Sequence, residues 1–380
     1  MKISAQIVAD SKNEFGDRIT TMLVTFPRYI LAELNTHRMF SKNSASSRAI
    51  PFVKMLQSVK ENPFIPIAWQ KDHPGMQGTE YFTDEQVIED KLKYAGWLEA
   101  RDYAVMQAKY LSSVGLTKQL VNRLLEPFMW HTVLVTSTEW ENFFALRCPR
   151  YEITSIENGV QSFRSWRDAI DECTRTSKNF TQDDLLRLQN TTTLERLVKN
   201  KGAADIHMMS LAEAMWDARN ESVPKELKAG EWHIPFGDGV TEESIQTFIS
   251  QSGSSTLGEE LKTVLTGLLV DLTKEVLPID VITQIRLKVA TAECARTSYT
   301  VVGKEGRVTS YEDDIKLHDR LASMGHWSPF EHCAKAMDTN EYHWLNGTGG
   351  GNVVGNGWSG NFRGFVQYRK TFKNENITIK

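Results

Sequence analysis

The first regular pattern in the chain is a set of short apolar runs of strand length. They are Ile3–Ala9, then Ile19–Phe26, which is rich in β-branched and apolar residues, and finally His131–Thr136. Because β-branched side chains pack well on a pleated sheet, we expect all three runs to form strands.

Longer segments have apolar residues at helical spacing. Thr83-x-x-Gln86 resembles a capping box that opens a helix to about Tyr110, with Tyr103, Met106 and Tyr110 on one face. Further helices are predicted at Glu139–Arg147, Ala204–Arg219, Ile285–Arg296 and Glu312–Met324, and after the cap Thr256-x-x-Glu259, where Leu261, Val264, Leu265, Leu268, Leu269 and Leu272 follow. Helices separated by short strands predict the α+β class, with a mixed sheet packed against long helices.

Two stretches interrupt this pattern. Residues 149–202 are polar and charged with few apolar anchors, and we expect an inserted helical segment there. Gly347–Gly360 holds seven glycines and is predicted to be a loop. It contains G-x-G-x-x-G at Gly355–Gly360, but too little chain follows for a dinucleotide-binding unit.

Composition narrows the class of protein. The 380 residues are 41% hydrophobic and 24% charged, which is ordinary for a globular protein, and the net charge of −4 disfavours polynucleotide binding. No apolar run is long enough to cross a bilayer, and the N-terminus does not resemble a secretory signal. The four cysteines are far apart, which favours a reduced, cytoplasmic chain.

A segment dense in hydrogen-bond donors follows the apolar run Phe26–Leu34. Within Asn35–Arg48 the chain places His37, Arg38, Ser41, Asn43, Ser46 and Arg48. Two guanidinium groups with interleaved hydroxyls suit an anionic, planar, oxygen-rich ligand. A nucleotide or a flavin phosphate fits that description.

Three further segments place polar groups against apolar helices: Trp140–Arg147, Cys294–Tyr299 and His326–His332. Taken singly, each has an ordinary structural explanation, since Arg147 can satisfy helix-end carbonyls and Ser298 can cap a helix. Their co-occurrence with the donor-rich segment favours a functional explanation.

The four segments resemble the family of flavin-dependent thymidylate synthases. The family signature R-H-R-x-x-S-x-N-E-x-S-x-R has its counterpart at Thr36–Arg48, and H-x-[ST]-P-F-E-H at His326–His332. Less specific counterparts are Phe143–Arg147 for F-F-x-L-R, Ala295–Ser298 for A-R-x-S, Ala204–Met209 for A-Q-x-E-I-R, and Trp358–Lys370 for the ends of phage-type members.

The order of these motifs is rearranged. In the usual members A-R-x-S and H-x-[ST]-P-F-E-H precede the H-R signature, whereas here they follow it, so the chain resembles a circular permutation. The counterparts cover roughly residues 26–148, 203–219 and 285–370. The resemblance implies that 1–148 and 203–380 form one flavin- and nucleotide-binding catalytic domain, interrupted by the insertion 149–202.

The resemblance also implies an activity. Such enzymes bind FAD, a pyrimidine deoxynucleotide monophosphate and 5,10-methylenetetrahydrofolate at the interfaces of a homotetramer, and NADPH is the reductant. The folate one-carbon unit is moved to C5 of the base, which converts dUMP to dTMP, while the protein orients and polarises the bound groups. We therefore expect a small nucleotide substrate, no membrane, no metal and no cysteine nucleophile. The location would be cytoplasmic, in the host for a phage-encoded member.

Residues that match the family motifs divide into two groups. The flavin side would comprise His37, Arg38, His326, Ser328 and Glu331, with Asn142 or Arg147 nearby. The nucleotide side would comprise Ser46, Ser47 and Arg48, with Glu33 in the place of a family glutamine, and Ser46 and Arg48 are the candidate catalytic residues.

Several positions depart from the family pattern. Thr36 and Ser44 replace an arginine and a glutamate. Trp130 stands where an arginine usually holds the nucleotide phosphate, with Arg123 or His131 as candidate substitutes.

The departure at Met209 concerns the base. Its family counterpart is the arginine that stabilises the uracil ring as the N3 proton is lost, and Met209 has no charge. Either another arginine has taken the role, for which the insertion offers Arg150, Arg164, Arg167 and Arg175, or the alignment slips, or the base is cytosine. Cytosine has no N3 proton to lose, and its N4 amine suits Asp205 or His207. The alternatives are therefore a dCMP C5-methyltransferase or hydroxymethylase, and a catalytically degenerate nucleotide-binding relative.

Overall fold

The computed structural model of the protein describes residues 1–75, 78, 80–155, 159–175, 186, 188–193, 195–196, 200–241, 243–245, 247–248, 281–298, 310–343 and 357–375. The helix predicted after Thr256 and residues 347–356 of the glycine-rich stretch lie outside the described residues.

The strands include all three that the sequence predicts. In chain order they are β1 (Ser4–Asn13), β2 (Arg18–Pro27), β3 (Ser41–Ser44), β4 (Trp130–Ser137), β5 (Tyr151–Ser155), β6 (Gly159–Phe163), β7 (Lys225–Leu227), β8 (Trp232–His233), β9 (Ala334–Ala336), β10 (Trp358–Ser359), β11 (Phe362–Arg363) and β12 (Phe365–Gln367). The predicted strands are confirmed as β1, β2 and β4, each somewhat longer than its apolar run.

The helices surround these strands. They are α1 (Leu31–Asn35), α2 (Phe52–Glu61), α3 (Glu99–Ser113), α4 (Lys118–Val121), α5 (Glu141–Arg147), α6 (Trp166–Arg175), α7 (Ile206–Glu221), α8 (Val281–Arg296), α9 (Tyr311–Ser323) and α10 (Thr339–His343). Short 3₁₀ turns occur at Arg28–Ile30, Asn122–Phe128, Gly237–Gly239, Ser328–Glu331 and Tyr368–Thr371. The helices predicted from Glu139, Ala204, Ile285 and Glu312 are confirmed as α5, α7, α8 and α9.

A five-stranded sheet organises the fold, in the order β3-β4-β2-β1-β7. Strands β1 and β7 pair in parallel and the other pairs are antiparallel, so the sheet is mixed, as the sequence predicts. A smaller sheet has the order β12-β9-β8. The predicted α+β class with a mixed sheet is confirmed.

Two apolar clusters fix the position of the sheets. Phe26 of β2 packs with Phe143 of α5 and Leu211 of α7, because helices α5 and α7 lie against one face of the large sheet. Ile19 packs with Ala334 and Phe365, which joins the small sheet to the large one. This second contact brings the C-terminal third of the chain to strands near the N-terminus.

The helix predicted from Thr83 differs from expectation in two respects. Residues Val87–Leu98 form a π-helical segment, and the α-helix proper is α3. Tyr103, Met106 and Tyr110 do share a face, but they are 60%, 50% and 61% exposed, while Val105 and Ala108 face the core. Sequence spacing therefore identified an apolar face that the single chain does not bury.

The segment 149–202 is helical only in part. Its described residues begin with the antiparallel hairpin of β5 and β6, and α6 follows. The predicted helical insertion is thus wrong for the hairpin. The hairpin and α6 are held to α7 by Glu213, which accepts hydrogen bonds from the Tyr151 hydroxyl at 3.1 Å and the Trp166 backbone amide at 2.7 Å.

Candidate functional site

Asn43, which belongs to the donor-rich segment, is the common partner of two of the other three polar segments. Its side-chain amide donates to the carbonyl oxygen of Cys294 and, at 3.0 Å, to Oγ1 of Thr297. Its Oδ1 accepts hydrogen bonds from the hydroxyls of Ser298 and Ser328, both at 3.3 Å. Pairing of β3 with β4 places Asn43 opposite Leu134 and fixes the amide in the core. The structure therefore brings the donor-rich segment, the A-R-x-S counterpart and the H-x-S-P-F-E-H counterpart together.

The predicted nucleotide residues form the turn after β3. The backbone amide of Ser46 donates to the carbonyl of Ser298 at 3.0 Å, and its hydroxyl accepts from the Arg48 amide at 3.3 Å. The Ser47 side chain is buried and donates to Glu126 at 3.3 Å. Arg48 is exposed. Among the described residues, its side chain makes one hydrogen bond, from Nε to the side-chain oxygen of Gln119 at 3.2 Å. Arg48 is thus available to an anion, whereas the Ser47 hydroxyl already has a partner.

The turn Ser328–Glu331 presents the second predicted group. Ser328 is exposed beside Asn43, and His326 is exposed two residues earlier. Glu331 is half-buried and accepts a hydrogen bond from Nη1 of Arg369 at 2.5 Å. Arg369 belongs to the C-terminal tail and escaped the sequence prediction, although the tail itself matched the family.

A second cluster joins His37, Arg147 and Glu33. Nε of Arg147 donates to Nε2 of His37 at 3.1 Å, and its Nη1 lies 3.4 Å from Oε2 of Glu33. Burial, followed by the charges of Arg147 and Lys42, lowers the pKa of His37 to about 4. His37 is therefore neutral near pH 7, and its remaining proton lies on Nδ1 because Nε2 accepts. This contact brings the first and second polar segments together.

The pKa values of Glu33 and of the nearby Asp205 are shifted in opposite directions. Burial and the charge of Asp205 raise the pKa of Glu33, and Arg147 opposes them. The pKa of Asp205 is lowered, because hydrogen bonds with His207 and the Met208 amide outweigh burial. The two carboxylates therefore interact, and the pKa of Glu33 lies above its ordinary value while the pKa of Asp205 lies below its own.

Asp205 caps α7, and His207 lies behind it. The Asp205 carboxylate accepts from the backbone amides of His207 at 2.8 Å and Met208 at 3.3 Å. The His207 ring is buried, its Nε2 accepts from the Ile67 amide at 3.1 Å, and its Nδ1 contacts Asp205 and the Tyr29 hydroxyl. Both nitrogens of His207 are thus occupied within the protein, so in this structure His207 can act on a ligand only through Asp205 or Tyr29.

The remaining predicted flavin residues lie on the surface. Asn142 is exposed on the first turn of α5, and Arg38 is exposed in the turn before β3. Neither has a side-chain hydrogen bond or ion pair with another residue of the described ranges. Arg38 therefore resembles Arg48 in presenting a guanidinium to solvent.

The structure shows what surrounds Met209, where the family has an arginine. Met209 is buried with Ala68, Tyr81 and Ile206, and its sulfur accepts from the Asn200 amide at 2.9 Å. The position is apolar, so its lack of charge is matched by its surroundings.

Three arginines of the insertion have carboxylate partners away from Met209. Arg164 pairs with Glu141, Arg167 with Glu221, and Arg175 with Glu172. Arg150 is exposed at the start of the insertion. Within the described residues, Glu33 forms its ion pair with Arg147, which lies in α5 rather than in the insertion.

The candidates for the phosphate near Trp130 also have partners. His131 is buried and bonded to Arg28 Nη1 at 2.9 Å, and burial lowers its pKa to about 3, so it is uncharged near pH 7. Arg123 lies 3.6 Å from Glu126. Arg28 itself escaped the prediction, although a cation directly after an apolar strand was a usable signal. Arg28, Ser47 and Trp130 line a cavity of about 20 Å³, which has room for roughly one water molecule.

Three further observations concern metal binding, membrane crossing and dinucleotide binding. The described residues contain no group of three or more His, Cys, Asp or Glu side chains arranged to hold a metal ion. Within the same ranges, no helix combines the length and apolar character that crossing a bilayer requires. Gly360 lies in the turn between the paired strands β10 and β11 and does not open a helix, as a dinucleotide-binding motif would require.

Comparison with known proteins gives limited similarity. No protein-family model matches the chain, and no curated protein matches it in sequence. Among solved structures, the UMP/dUMP methylase PolB from Streptomyces cacaoi matches with a TM-score of 0.32, at 14% identity in its complex with 5-Br UMP and 13% in its complex with 5-Br dUMP. Both matches cover 47% of this chain and 90% of that chain. A similarity of this size does not establish a common fold.

Proposed function

We propose that the chain methylates C5 of a pyrimidine deoxynucleotide monophosphate, converting dUMP to dTMP with 5,10-methylenetetrahydrofolate, FAD and NADPH. The observation that carries the proposal is the convergence on Asn43 of segments that resemble separate motifs of flavin-dependent thymidylate synthases. Residues this far apart in sequence meet at one buried amide, and exposed donors surround it.

The donors near Asn43 fit the anionic parts of FAD. Arg38 and Arg48, five residues before and after Asn43, present exposed guanidinium nitrogens, and Ser328, which bonds to Asn43, is exposed as well. Guanidinium groups bind phosphate oxygens by paired hydrogen bonds, and hydroxyls add further donors. When bound, the flavin would supply the hydride that completes the methyl group. The protein's own part would be to hold and orient it.

The nucleotide would lie on the turn after β3. Arg48 would neutralise its phosphate, while the Ser46 hydroxyl, which already accepts from the Arg48 amide, holds the shape of the turn. Glu33 is half-exposed beside Arg147, and its carboxylate pairs with that cation. In this arrangement Ser47 supports the turn through Glu126 and does not donate to substrate.

A homotetramer is part of the proposal. The face of α3 formed by Tyr103, Met106 and Tyr110 is exposed and apolar, as expected for a surface that another copy covers. A site completed by a second subunit would also explain why Ser47 borders only a small cavity in one chain.

A cytosine substrate is the second candidate, and the surroundings of Met209 favour it. The position equivalent to the uracil-stabilising arginine is apolar and packed, while the neighbouring carboxylates Glu33 and Asp205 can accept hydrogen bonds. A carboxylate suits the N4 amine of cytosine and is unfavourable beside an anionic uracil ring.

Turnover with each nucleotide tests the proposal. The purified protein, with FAD, NADPH and methylenetetrahydrofolate, is incubated with dUMP or dCMP, and the products are identified by mass spectrometry as methylated or hydroxymethylated. Product from dUMP supports the main proposal, and product from dCMP alone supports the cytosine candidate. Arg48→Gln should abolish product, whereas Arg175→Gln, which changes an exposed arginine paired with Glu172, should not.

The colour of the protein separates an enzyme from a binding relative. A yellow protein with near-stoichiometric flavin supports the proposed class. A colourless protein that FAD does not reconstitute, and that forms no product from either nucleotide, would refute the proposal and leave only nucleotide binding.

A further inference from the structure

Five buried side chains form a continuous line of hydrogen bonds between the two sheets. Ser11 Oγ lies 2.9 Å from His233 Nδ1, and His233 Nε2 lies 2.8 Å from Thr21 Oγ1. Thr21 Oγ1 is 2.7 Å from Thr136 Oγ1, which is 2.8 Å from His332 Nδ1. All five residues are at most 4% exposed. At the far end, His332 Nε2 is buried and has no partner among the described residues.

Both imidazoles are uncharged near pH 7. Burial, the largest cause, lowers the pKa of His233 and of His332 to about 3, with Asp10 opposing the shift for His233 and His233 adding to it for His332. Each ring therefore carries a single N–H, on one nitrogen or the other. The position of that hydrogen decides which way every bond in the line points.

Counting hydrogens links the two rings. If His332 Nδ1 accepts from Thr136, then Thr136 accepts from Thr21, Thr21 accepts from His233 Nε2–H, and His233 Nδ1 accepts from Ser11. If His332 Nδ1 carries the hydrogen, every bond reverses and His233 also carries its hydrogen on Nδ1. Both directions satisfy all four bonds of the line, and in both the two rings have the same tautomer. The first direction also leaves an N–H on the unpartnered Nε2 of His332, so hydrogen on Nδ1 of both rings is the better satisfied arrangement.

Opposite tautomers break the line between the threonines. With two bare nitrogens facing the hydroxyls, both threonines donate outward, and no hydrogen lies between oxygens only 2.7 Å apart. With two N–H groups facing them, one hydroxyl hydrogen has no acceptor among the described residues. A buried polar hydrogen without an acceptor costs about 1–3 kcal/mol.

The line ends in the candidate site. His332 directly follows the turn Ser328–Glu331, whose Ser328 bonds to Asn43. Thr136, which binds His332, is paired with Ser41 of β3, two residues from Asn43. The hydrogen bond between Thr136 and His332 thus ties the turn to the strand that carries its partner.

We propose that Ser11, His233, Thr21, Thr136 and His332 form one cooperative relay, in which the two histidines share a tautomer, and that the relay positions the Ser328–Glu331 turn. The positioning role rests on the proposed function, whereas the shared tautomer does not. His332 is accordingly a positioning residue, which acts through the turn.

Neutron diffraction from crystals of the deuterated full-length protein tests the shared tautomer directly. We expect deuterium on Nε2 of both His233 and His332, or on Nδ1 of both, with the two threonine hydroxyls pointing the same way along the line. Deuterium on different nitrogens of the two rings, or on both nitrogens of either ring, would overturn the relay.

Flavin affinity tests the positioning role. Thr136→Val removes the hydroxyl that holds His332 and should weaken FAD binding about tenfold, the effect of one buried hydrogen bond, as measured by fluorescence titration. The control is Thr132→Val. Thr132 pairs with Thr25 across the same two strands, four residues away, and its hydroxyl contacts that of Thr25 at 3.3 Å, with no histidine attached. Thr136→Ser keeps the hydroxyl and should restore the wild-type affinity.

The outcomes separate this inference from the proposed function. If Thr136→Val binds FAD as the wild type does, the positioning role is wrong even where the tautomers agree. If the wild type binds no FAD, the proposed function and the positioning role fail together, and the diffraction result still decides the relay. Should Thr136→Val not fold, Thr136→Ala removes the same hydroxyl with a smaller side chain. An unchanged FAD affinity in that variant would contradict the positioning role.

Discussion

The side-chain amide of Asn43 forms hydrogen bonds with segments that are far apart in the chain. The candidate site therefore depends on this residue more than on any other. Its four contacts include a backbone carbonyl and three hydroxyls. Buried polar groups left without partners are costly, so each of these contacts constrains the others. At the same scale, Arg147 sets the charge around His37 and Glu33 by contacting both.

Replacing Arg147 should change the titration of His37. In Arg147→Gln we expect the pKa of His37 to rise above about 4 and to remain below its ordinary value of 6.5, because burial is the larger cause and persists. An NMR titration of the His37 ring measures it. Arg38→Gln is the control, since this exposed neighbour in sequence does not act on His37. A His37 pKa of 4 or lower in Arg147→Gln would contradict the assignment.

The same shift has a consequence for stability with a definite sign. Because the pKa of His37 is lower in the folded chain than its ordinary value of 6.5, the unfolded chain binds more protons between those values. This contribution to stability is fully present above pH 6.5 and is lost as the pH falls toward 4. In Arg147→Gln the loss should be smaller.

At the scale of elements, α7 connects the cap at Asp205 with the departure at Met209. The first turn of the helix is held by the Asp205 carboxylate, and the same turn carries His207 and buries Met209. A change in this turn therefore affects both the helix and the region where the base is proposed to lie.

The cap can be tested by two substitutions of the same residue. Asp205→Ala should lower the free energy of unfolding by about 1 kcal/mol, because two backbone amides lose their acceptor. Asp205→Asn keeps an acceptor oxygen and should fall within a few tenths of a kcal/mol of the wild type. Urea denaturation measures both. Equal stability of Asp205→Ala and the wild type would show that the helix does not depend on this cap.

Restoring the family arginine at Met209 should not restore a family-like site. Met209→Arg places a charge among Ala68, Tyr81 and Ile206 and should cost about 3 kcal/mol or more, while Met209→Leu should cost less than about 1.5 kcal/mol. Unfolding midpoints compare the two. A stable Met209→Arg with higher turnover of dUMP would instead show that the position opens onto substrate.

For the whole molecule, the exposed apolar face of α3 is the surface with the clearest consequence. Tyr103, Met106 and Tyr110 lie opposite the face that packs inward through Val105 and Ala108. Leaving three large apolar side chains in water is unfavourable, so association of copies through this face is expected.

Charge introduced on that face should break the assembly. Met106→Glu should reduce the molar mass in solution to that of a smaller species, because a carboxylate would be buried without a partner. Light scattering after size-exclusion chromatography measures it. Lys109→Glu changes charge on the same helix away from the apolar face and should leave the mass unchanged. A monomeric wild type would refute the assembly at once.

The sequence predicts the elements better than the contacts between them. Strands β1, β2 and β4 follow from β-branched runs, since burial on a pleated surface leaves a local pattern. The face of α3 was identified but not its exposure, because apolar spacing looks the same for a core and for a partner. The π-helical turn Val87–Leu98 has no local signal that distinguishes it from an α-helix.

The sequence identified the motifs, but it did not identify which residues their side chains contact. The link between His37 and Arg147 and the position of Asn43 follow from three-dimensional packing, not from spacing in sequence. Arg28 and Arg369 pair with residues roughly 100 and 40 positions away, at His131 and Glu331. Pairing at such distances leaves no pattern in a single sequence.

The distance along the chain between Asn43 and its partners has a consequence during synthesis. Asn43 and Ser328 are separated by 285 residues, and Asn43 and Cys294 by 251. At ribosomal rates of 5–20 residues per second, the strand that carries Asn43 emerges roughly 15 to 60 seconds before its last partner. During that interval water binds the Asn43 amide in place of its protein partners, and ribosomes stalled before residue 294 would yield a sheet without a site.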